Sequence, residues 1–159
     1  MRRHLGTRVE PVSSPESSAV WIAEAMDQMG VANVGNYFAR AARFNNERRS
    51  DFAYDWWFTA FMIRDVNDPD RHFTFADTSI GRVASHSWLG GPYETLLYEN
   101  GFEIPHDLLD AVVAHETCHI FRAKDEYDGC SCADTGGYLN VENGNCEDCP
   151  IQQEPCIMR

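Results

Sequence analysis

The sequence lacks a hydrophobic run long enough to cross a bilayer. Its longest apolar stretch, Trp56 to Ile63, has the length of a strand, whereas a membrane-spanning helix needs about 20 residues. Residues 4–18 are mostly polar and carry two prolines, so they lack the apolar core of a secretory signal. There is also no N-x-Ser/Thr acceptor for glycosylation. We therefore expect that this protein is not bound to a membrane.

Basic residues are scarce. The chain has 13 Lys and Arg against 25 Asp and Glu, which gives a net charge of −12. From Glu99 onward the only cations are Arg122, Lys124 and Arg159. Such a surface repels a phosphate backbone and favours cations or basic peptides as partners. Nucleic acid is therefore excluded as an expected partner, and most of the acidic residues are interpreted as solvated surface.

Length and composition favour one globular domain. The chain has 159 residues, of which 43% are hydrophobic and 24% charged, values close to the globular average. We predict a flexible leader over residues 1–14 and a single domain over residues 15–159. No internal repeat appears.

The hydrophobic pattern predicts an α+β fold. One helix begins near Pro15 and ends at Gly30, and a second covers residues 34–44. Residues 56–63 predict a central strand, residues 73–76 a short strand, and residues 93–98 an edge strand because Pro92 precedes it. A third helix is predicted to begin near Pro105.

The third predicted helix carries His115, Glu116 and His119, an HExxH motif. Histidines four residues apart lie on the same helix face, so both imidazoles can bind one metal ion. Glu116 is then placed to act as general base toward a metal-bound water. A catalytic zinc ion commonly has three protein ligands and one open position. The motif therefore predicts one catalytic Zn²⁺ and the hydrolysis of internal bonds in a polypeptide substrate.

The third ligand is predicted to be Asp125, six residues after His119, where the chain can fold back. Glu126 and Asp128 are the alternatives, and either could bind water or Ca²⁺ instead. Tyr127 or Tyr138 is a candidate for stabilising an oxyanion, although packing explains either residue equally well. The other four histidines are interpreted as ordinary surface or core residues: His4, His72, His86 and His106.

Five of the six cysteines lie in the last thirty residues: Cys130, Cys132, Cys146, Cys149 and Cys156. This clustering indicates a cross-linked, loop-rich segment and an oxidising, extracytoplasmic or secreted location, although six cysteines allow fifteen pairings. The alternative is a structural zinc site in a reducing cell, formed by the Cys130-x-Cys132 and Cys146-x-x-Cys149 pairs.

Residues 115–125, HETCHIFRAKD, resemble the extended zinc motif of metzincin metalloendopeptidases, HExxHxxGxxH/D, in the aspartate form of snapalysins. Cys156-Ile157-Met158 is similar to the Met-turn of adamalysins, in which the methionine lies beneath the zinc. The resemblance covers residues 15–159. It implies a metzincin-like domain: a twisted mixed sheet with N-terminal helices, an active-site helix and a cysteine-rich loop subdomain.

By the same resemblance, an edge strand would bind an extended substrate through its main chain. The implied substrate-binding residues are Gly90, Gly91, Tyr93, Glu94 and Thr95. Two departures bear on this assignment: Arg122 stands where the family has glycine, and the chain stops one residue after Met158, so it is predicted to be a fragment. A non-catalytic zinc-binding or adaptor protein derived from a metallopeptidase is therefore the alternative function.

Overall fold

The computed structural model describes residues 3–8, 15–64, 72–74, 82–83, 85–98, 108–127, 129–149 and 154–159. In these ranges the elements are α1 (Pro15–Gln28), α2 (Tyr37–Phe52), β1 (Thr59–Ile63), β2 (Phe73–Thr74), β3 (Arg82–Val83), β4 (Ser85–Ser87), β5 (Tyr93–Leu97), α3 (Leu109–Ile120), β6 (Thr135–Gly136) and β7 (Val141–Glu142). The prediction of a mixed α and β architecture is therefore confirmed.

Both predicted N-terminal helices are present, and the first has the predicted start and stop. Pro15 opens α1, where its missing N–H costs nothing, and Gly30 follows the helix at a positive φ of 77°. The side chain of Asn36 caps α2 by accepting a hydrogen bond from the Ala39 amide. This helix begins three residues later than predicted and continues to Phe52.

Part of the predicted leader contacts α1. The Thr7 hydroxyl donates a hydrogen bond of 2.7 Å to Glu24, and the Arg8 guanidinium forms an ion pair with the same carboxylate. Residues 1–2 and 9–14 lie outside the described ranges, so the prediction of flexibility is not tested there.

The main sheet has the strand order β1-β5-β4. Strand β5 pairs in parallel with β1 and antiparallel with β4, with Thr59 opposite Tyr93 and Ser87 opposite Glu94. The sheet is therefore mixed, as predicted. Two strand predictions are wrong: β5 lies in the middle of the described strands rather than at an edge, and β1 lies at one end of them rather than at the centre.

Pro92 does not place β5 at an edge because it precedes the first paired residue. Its carbonyl oxygen accepts hydrogen bonds from the Thr59 amide and the Asn45 side chain. The proline therefore joins α2, β1 and β5, and its missing N–H removes no bond from the ladder.

The hydrophobic core lies between α1, α2 and one face of the β1–β5 pair. Trp21 and Phe61 pack edge to face with their ring centroids 5.1 Å apart. The buried members of this core are Trp21, Ile22, Ala25, Met26, Val31, Ala41, Phe44, Phe61, Ile63, Tyr93 and Leu97. Helix α3 lies against β4 and β5, so the predicted motif is held by the sheet.

After α3 the chain forms the predicted cross-linked segment. Disulfides join Cys130 to Cys146 and Cys132 to Cys149, and the segment contains one short hairpin, β6–β7. These bonds fit an extracytoplasmic location. In the described ranges, each helix is too short or too polar to cross a membrane.

Candidate metal centre

Helix α3 places the two motif histidines together. Its described residues begin at Leu109, with Leu108 at the N-cap position, and the predicted start at Pro105 falls outside the described residues. The His115 and His119 rings meet edge to face at a centroid distance of 4.8 Å. This is the arrangement expected of imidazoles one turn apart on the same face.

Arg122 ends this helix in the left-handed conformation, with φ at 68°. The Ala123 amide bonds to the Cys118 carbonyl at 3.0 Å, and the Arg122 amide bonds to the His119 carbonyl at 2.8 Å. These two bonds define a Schellman motif, in which glycine is the usual residue at this position. The turn therefore forms with arginine, and the departure at Arg122 does not prevent the chain from folding back.

The folded-back chain brings Asp125 to both histidines. Its Oδ1 atom lies 3.2 Å from Nε2 of His115 and 3.3 Å from Nε2 of His119. These three residues form one of two potential metal-binding groups in the described ranges, and the other consists of the disulfide cysteines Cys132, Cys146 and Cys149. The predicted ligand set is thus brought together in space.

Hydrogen bonds fix which histidine nitrogen faces Asp125. Nδ1 of His115 lies 2.9 Å from the Ile157 carbonyl oxygen, and Nδ1 of His119 lies 2.8 Å from the Ala123 carbonyl oxygen. A carbonyl can only accept, so each Nδ1 carries the proton and each neutral ring presents a lone pair at Nε2. Both Nε2 lone pairs are therefore directed at a carboxylate oxygen that is itself an acceptor.

Oδ1 of Asp125 is shielded from solvent and has no hydrogen-bond donor while the imidazoles are neutral. Three acceptor atoms that converge without a donor require a proton or a cation between them. Two ligands about 2.1 Å from a tetrahedral zinc are about 3.4 Å apart, close to the observed nitrogen-to-oxygen distances. The donor set and its spacing therefore fit a zinc ion.

The pKa values of these three residues also indicate that a positive charge is favoured between them. The contact with Asp125 raises the pKa of His115 despite the opposing effect of burial. Burial lowers the pKa of His119, but Asp125 and the Ala123 carbonyl outweigh it and the pKa is raised. Burial also acts to raise the pKa of Asp125, yet the two histidines hold it well below its usual range. Positive charge is thus stabilised between these groups.

Neighbouring residues hold the aspartate in place. The Asn143 side chain donates a 3.1 Å hydrogen bond to the Asp125 carbonyl, and the Tyr127 hydroxyl helps to lower the pKa of Asp125. Burial raises the pKa of Tyr127 to about 12, so this hydroxyl stays protonated at neutral pH. Such outer contacts orient a metal ligand.

The alternative third ligands differ in position. The Glu126 carboxylate accepts a 2.6 Å hydrogen bond from the Asn145 side chain, away from the histidine pair. Asp128 lies outside the described residues. Of the described carboxylates after the helix, Asp125 joins the histidines in the potential metal-binding group.

The predicted Met-turn also reaches the site. Ile157 and Met158 form a turn, Ile157 accepts the His115 hydrogen bond, and the Met158 carbonyl accepts a 2.8 Å bond from the Glu126 amide. The Met158 side chain is 3% exposed. The C-terminal turn therefore orients one histidine and secures the segment next to Asp125.

Glu116 is buried, at 5% exposure. Its Oε1 accepts a 2.8 Å hydrogen bond from Ser85, and its Oε2 accepts a 2.7 Å bond from Ser87. The two serines belong to β4 and were missed at the sequence level. The signal that could have found them is the Ser85-His86-Ser87 alternation, which directs both hydroxyls to one face of a strand.

A cavity of about 430 Å³ adjoins the centre. Its lining includes His119, Asp125, Tyr127, Ser87 and Leu89. Lys124 and Asp134 also line it and form an ion pair at 3.0 Å. The candidate metal centre thus adjoins a cavity lined by both polar and apolar surface, which the sequence did not indicate.

The predicted substrate-binding residues are not arranged as expected. Tyr93, Glu94 and Thr95 are at most 1% exposed, and their strand is paired on both sides. Gly90 and Gly91 form the turn before it, with the Gly90 amide bonded to the His119 carbonyl at 2.9 Å. Because β5 has no free edge here, it cannot add a peptide strand, and that prediction is wrong.

The remaining candidates lie apart from the metal-binding group. Tyr138 packs on Trp56 with the ring centroids 5.2 Å apart. His86 bonds to Thr95, and burial lowers its pKa to about 4. His72 is buried and His4 is exposed, while His106 lies outside the described residues. Cys118 and Cys156 are free thiols.

Comparison with protein-family models, with curated proteins and with solved structures gave no match to this chain.

Proposed function

We propose that the protein is a zinc-dependent endopeptidase of the metzincin type. The observation that carries the proposal is the convergence of two imidazole lone pairs on Oδ1 of Asp125, an acceptor with no donor of its own. The acidic chain and the cavity beside these residues, with its mixed polar and apolar lining, are compatible with a polypeptide substrate.

His115, His119 and Asp125 would hold the metal. Zinc, when bound, supplies Lewis acidity and makes a bound water a nucleophile near neutral pH. The protein's own residues have separate roles: the Ile157 and Ala123 carbonyls fix the two imidazoles, Asn143 fixes the aspartate, and Tyr127 favours its charged form. Glu116 accepts a proton from the attacking water and returns it to the leaving amine.

Substituting the base tests this function. Purified protein with its disulfides intact is loaded with zinc and assayed against casein and a mixture of internally quenched peptides. We expect Glu116→Gln to bind one zinc per chain and to lose proteolysis, because the amide is isosteric but cannot take a proton. Glu142→Gln is the control, since Glu142 is an exposed carboxylate on β7.

The outcomes separate the two candidate functions. Proteolysis that is lost only in Glu116→Gln supports the peptidase. Equal proteolysis by the wild type and Glu116→Gln contradicts it. A wild type that binds zinc through the three ligands but cleaves nothing supports the non-catalytic zinc-binding alternative.

A further inference from the structure

Two serine hydroxyls, those of Ser85 and Ser87, have no role in the peptidase mechanism proposed above. Ser85 and Ser87 lie two residues apart on β4, so both side chains point to the same face of the strand. That face lies against α3, where each hydroxyl meets a different oxygen of the Glu116 carboxylate. The intervening His86 bonds to Thr95 of β5 instead.

The two serines do not make equal contacts. Ser85 donates to Oε1 of Glu116 at 2.8 Å. Ser87 lies 2.7 Å from Oε2 and also 2.7 Å from the backbone carbonyl oxygen of Glu116. A hydroxyl has one proton, so Ser87 shares it between these acceptors, and Ser85 is the more constant donor to the carboxylate.

The two serines lie on a different element from the two histidines. The serines come from a strand 29 and 31 residues before Glu116, and β4 is held by its antiparallel pairing with β5. Ser87 also lines the cavity that His119 and Asp125 share. The carboxylate is therefore held between the sheet and the helix, and one of its two hydroxyl partners lines the cavity.

We propose that Ser85 and Ser87 are positioning residues that hold the Glu116 carboxylate in the orientation needed for proton transfer. This inference rests on the proposed peptidase function. A carboxylate has about four lone-pair sites and the serines take two, so the others stay open to a water. Fixing the base reduces the number of unproductive orientations, and this acts on the chemical step rather than on substrate binding.

The kinetic experiment compares Ser85→Ala, Ser87→Ala and the double variant with the wild type on one quenched peptide. We expect kcat to fall about 10- to 100-fold in the double variant, as for the loss of hydrogen bonds to a charged group, with KM changed less than about twofold. Ser85→Thr and Ser87→Thr keep the hydroxyl and should restore most of kcat. Ser50→Ala, an exposed position on α2, is the control.

A merely structural role would change zinc content, Tm or KM together with kcat, and a threonine would not restore activity selectively. An unchanged kcat in the double variant, or a change in KM alone, overturns the inference while leaving the peptidase function intact. Zinc content and Tm are measured on each variant for this reason.

Crystal structures of the wild type and the double variant test whether the serines orient Glu116, and they do not depend on an activity assay. We expect the wild-type carboxylate in one orientation, bonded to both hydroxyls, and a displaced or multiply oriented carboxylate in the variant. A wild-type Glu116 that does not contact the serines, or the same orientation in both proteins, overturns the inference. If the wild type cleaves no substrate, the proposed function fails, and these structures still test the positioning.

Discussion

The side chain of Arg122 lies directly over Gly90. A Cβ atom placed on Gly90 would lie 2.9 Å from Nε and 3.0 Å from Cζ of that arginine. Both residues have positive φ, 69° for Gly90 and 68° for Arg122, and the Gly90 amide bonds to the carbonyl of His119. The glycine therefore makes room for an arginine where a glycine would ordinarily end the helix, and the two positions are coupled.

This coupling can be measured as a double-mutant cycle. We expect Gly90→Ala to lower the free energy of unfolding by about 2 kcal/mol, because the new methyl adds left-handed strain and displaces Arg122. Arg122→Gly should raise it by about 0.5–1 kcal/mol by removing strain at its own position. In the Arg122→Gly background, Gly90→Ala should cost only about 1 kcal/mol.

Urea unfolding of the four proteins, metal-loaded and with disulfides intact, gives the coupling energy. Additive effects of the two substitutions would show that the arginine side chain does not occupy the space above Gly90.

The sequence predicted the grouping of the candidate metal ligands better than the order of the strands. The HExxH spacing depends only on helix geometry, so His115 and His119 could be placed without tertiary structure. Asp125 followed from the length of chain needed to turn back, although nothing in the sequence showed that Arg122 would adopt the left-handed conformation in place of glycine.

The order of the strands in the sheet could not be predicted from the local sequence pattern. Pro92 suggested an edge strand, but a proline outside the ladder removes no bond, and only the fold shows that β4 and β1 lie on either side of β5. Ser85 and Ser87 were missed because their alternation shows only that both hydroxyls share one face of a strand, and the sequence does not show that α3 packs on that face.

Burial of Glu94 predicts a pH-dependent stability. Its side chain is fully buried in β5, with one oxygen bonded to Thr117 at 3.1 Å. Burial raises the pKa of Glu94 from its usual 4.5 to about 7, and the nearby Glu116 charge adds to this. Between pH 4.5 and 7 the unfolded chain releases this proton while the folded chain keeps it, so stability falls as pH rises and then levels off.

The expected loss is about 3 kcal/mol over this interval. Glu94→Gln cannot ionise, so its stability minus that of the wild type should rise from pH 4.5 to 7 and stay constant above pH 7. Urea unfolding across this range checks it, with Glu142→Gln as a surface control. A difference that is constant with pH would mean that Glu94 is ionised in the folded protein throughout.

The two disulfides predict the thiol count. In denaturant without reductant we expect two free thiols per chain, Cys118 and Cys156, and one bound zinc in the native protein. Each bond closes a loop of 16 or 17 residues and should contribute about 3 kcal/mol. Reduction should therefore lower Tm. Six thiols with two zinc ions per chain would instead support the structural zinc site formed by the four paired cysteines.

Substituting the adjacent carboxylates Asp125 and Glu126 should weaken metal binding to very different extents. Asp125→Ala removes a ligand and leaves two imidazoles, so we expect zinc affinity to fall by more than about 100-fold, beyond the 10- to 100-fold typical of contacts outside the ligand shell. Glu126→Ala removes the bond to Asn145 and an interaction with Cys156, both outside the histidine pair, and should change zinc affinity by less than about tenfold. Competitive titration against a chromophoric chelator measures both constants. A larger loss of zinc affinity in Glu126→Ala than in Asp125→Ala would identify Glu126 as the third ligand, because removing a ligand weakens metal binding more than removing a neighbouring contact does.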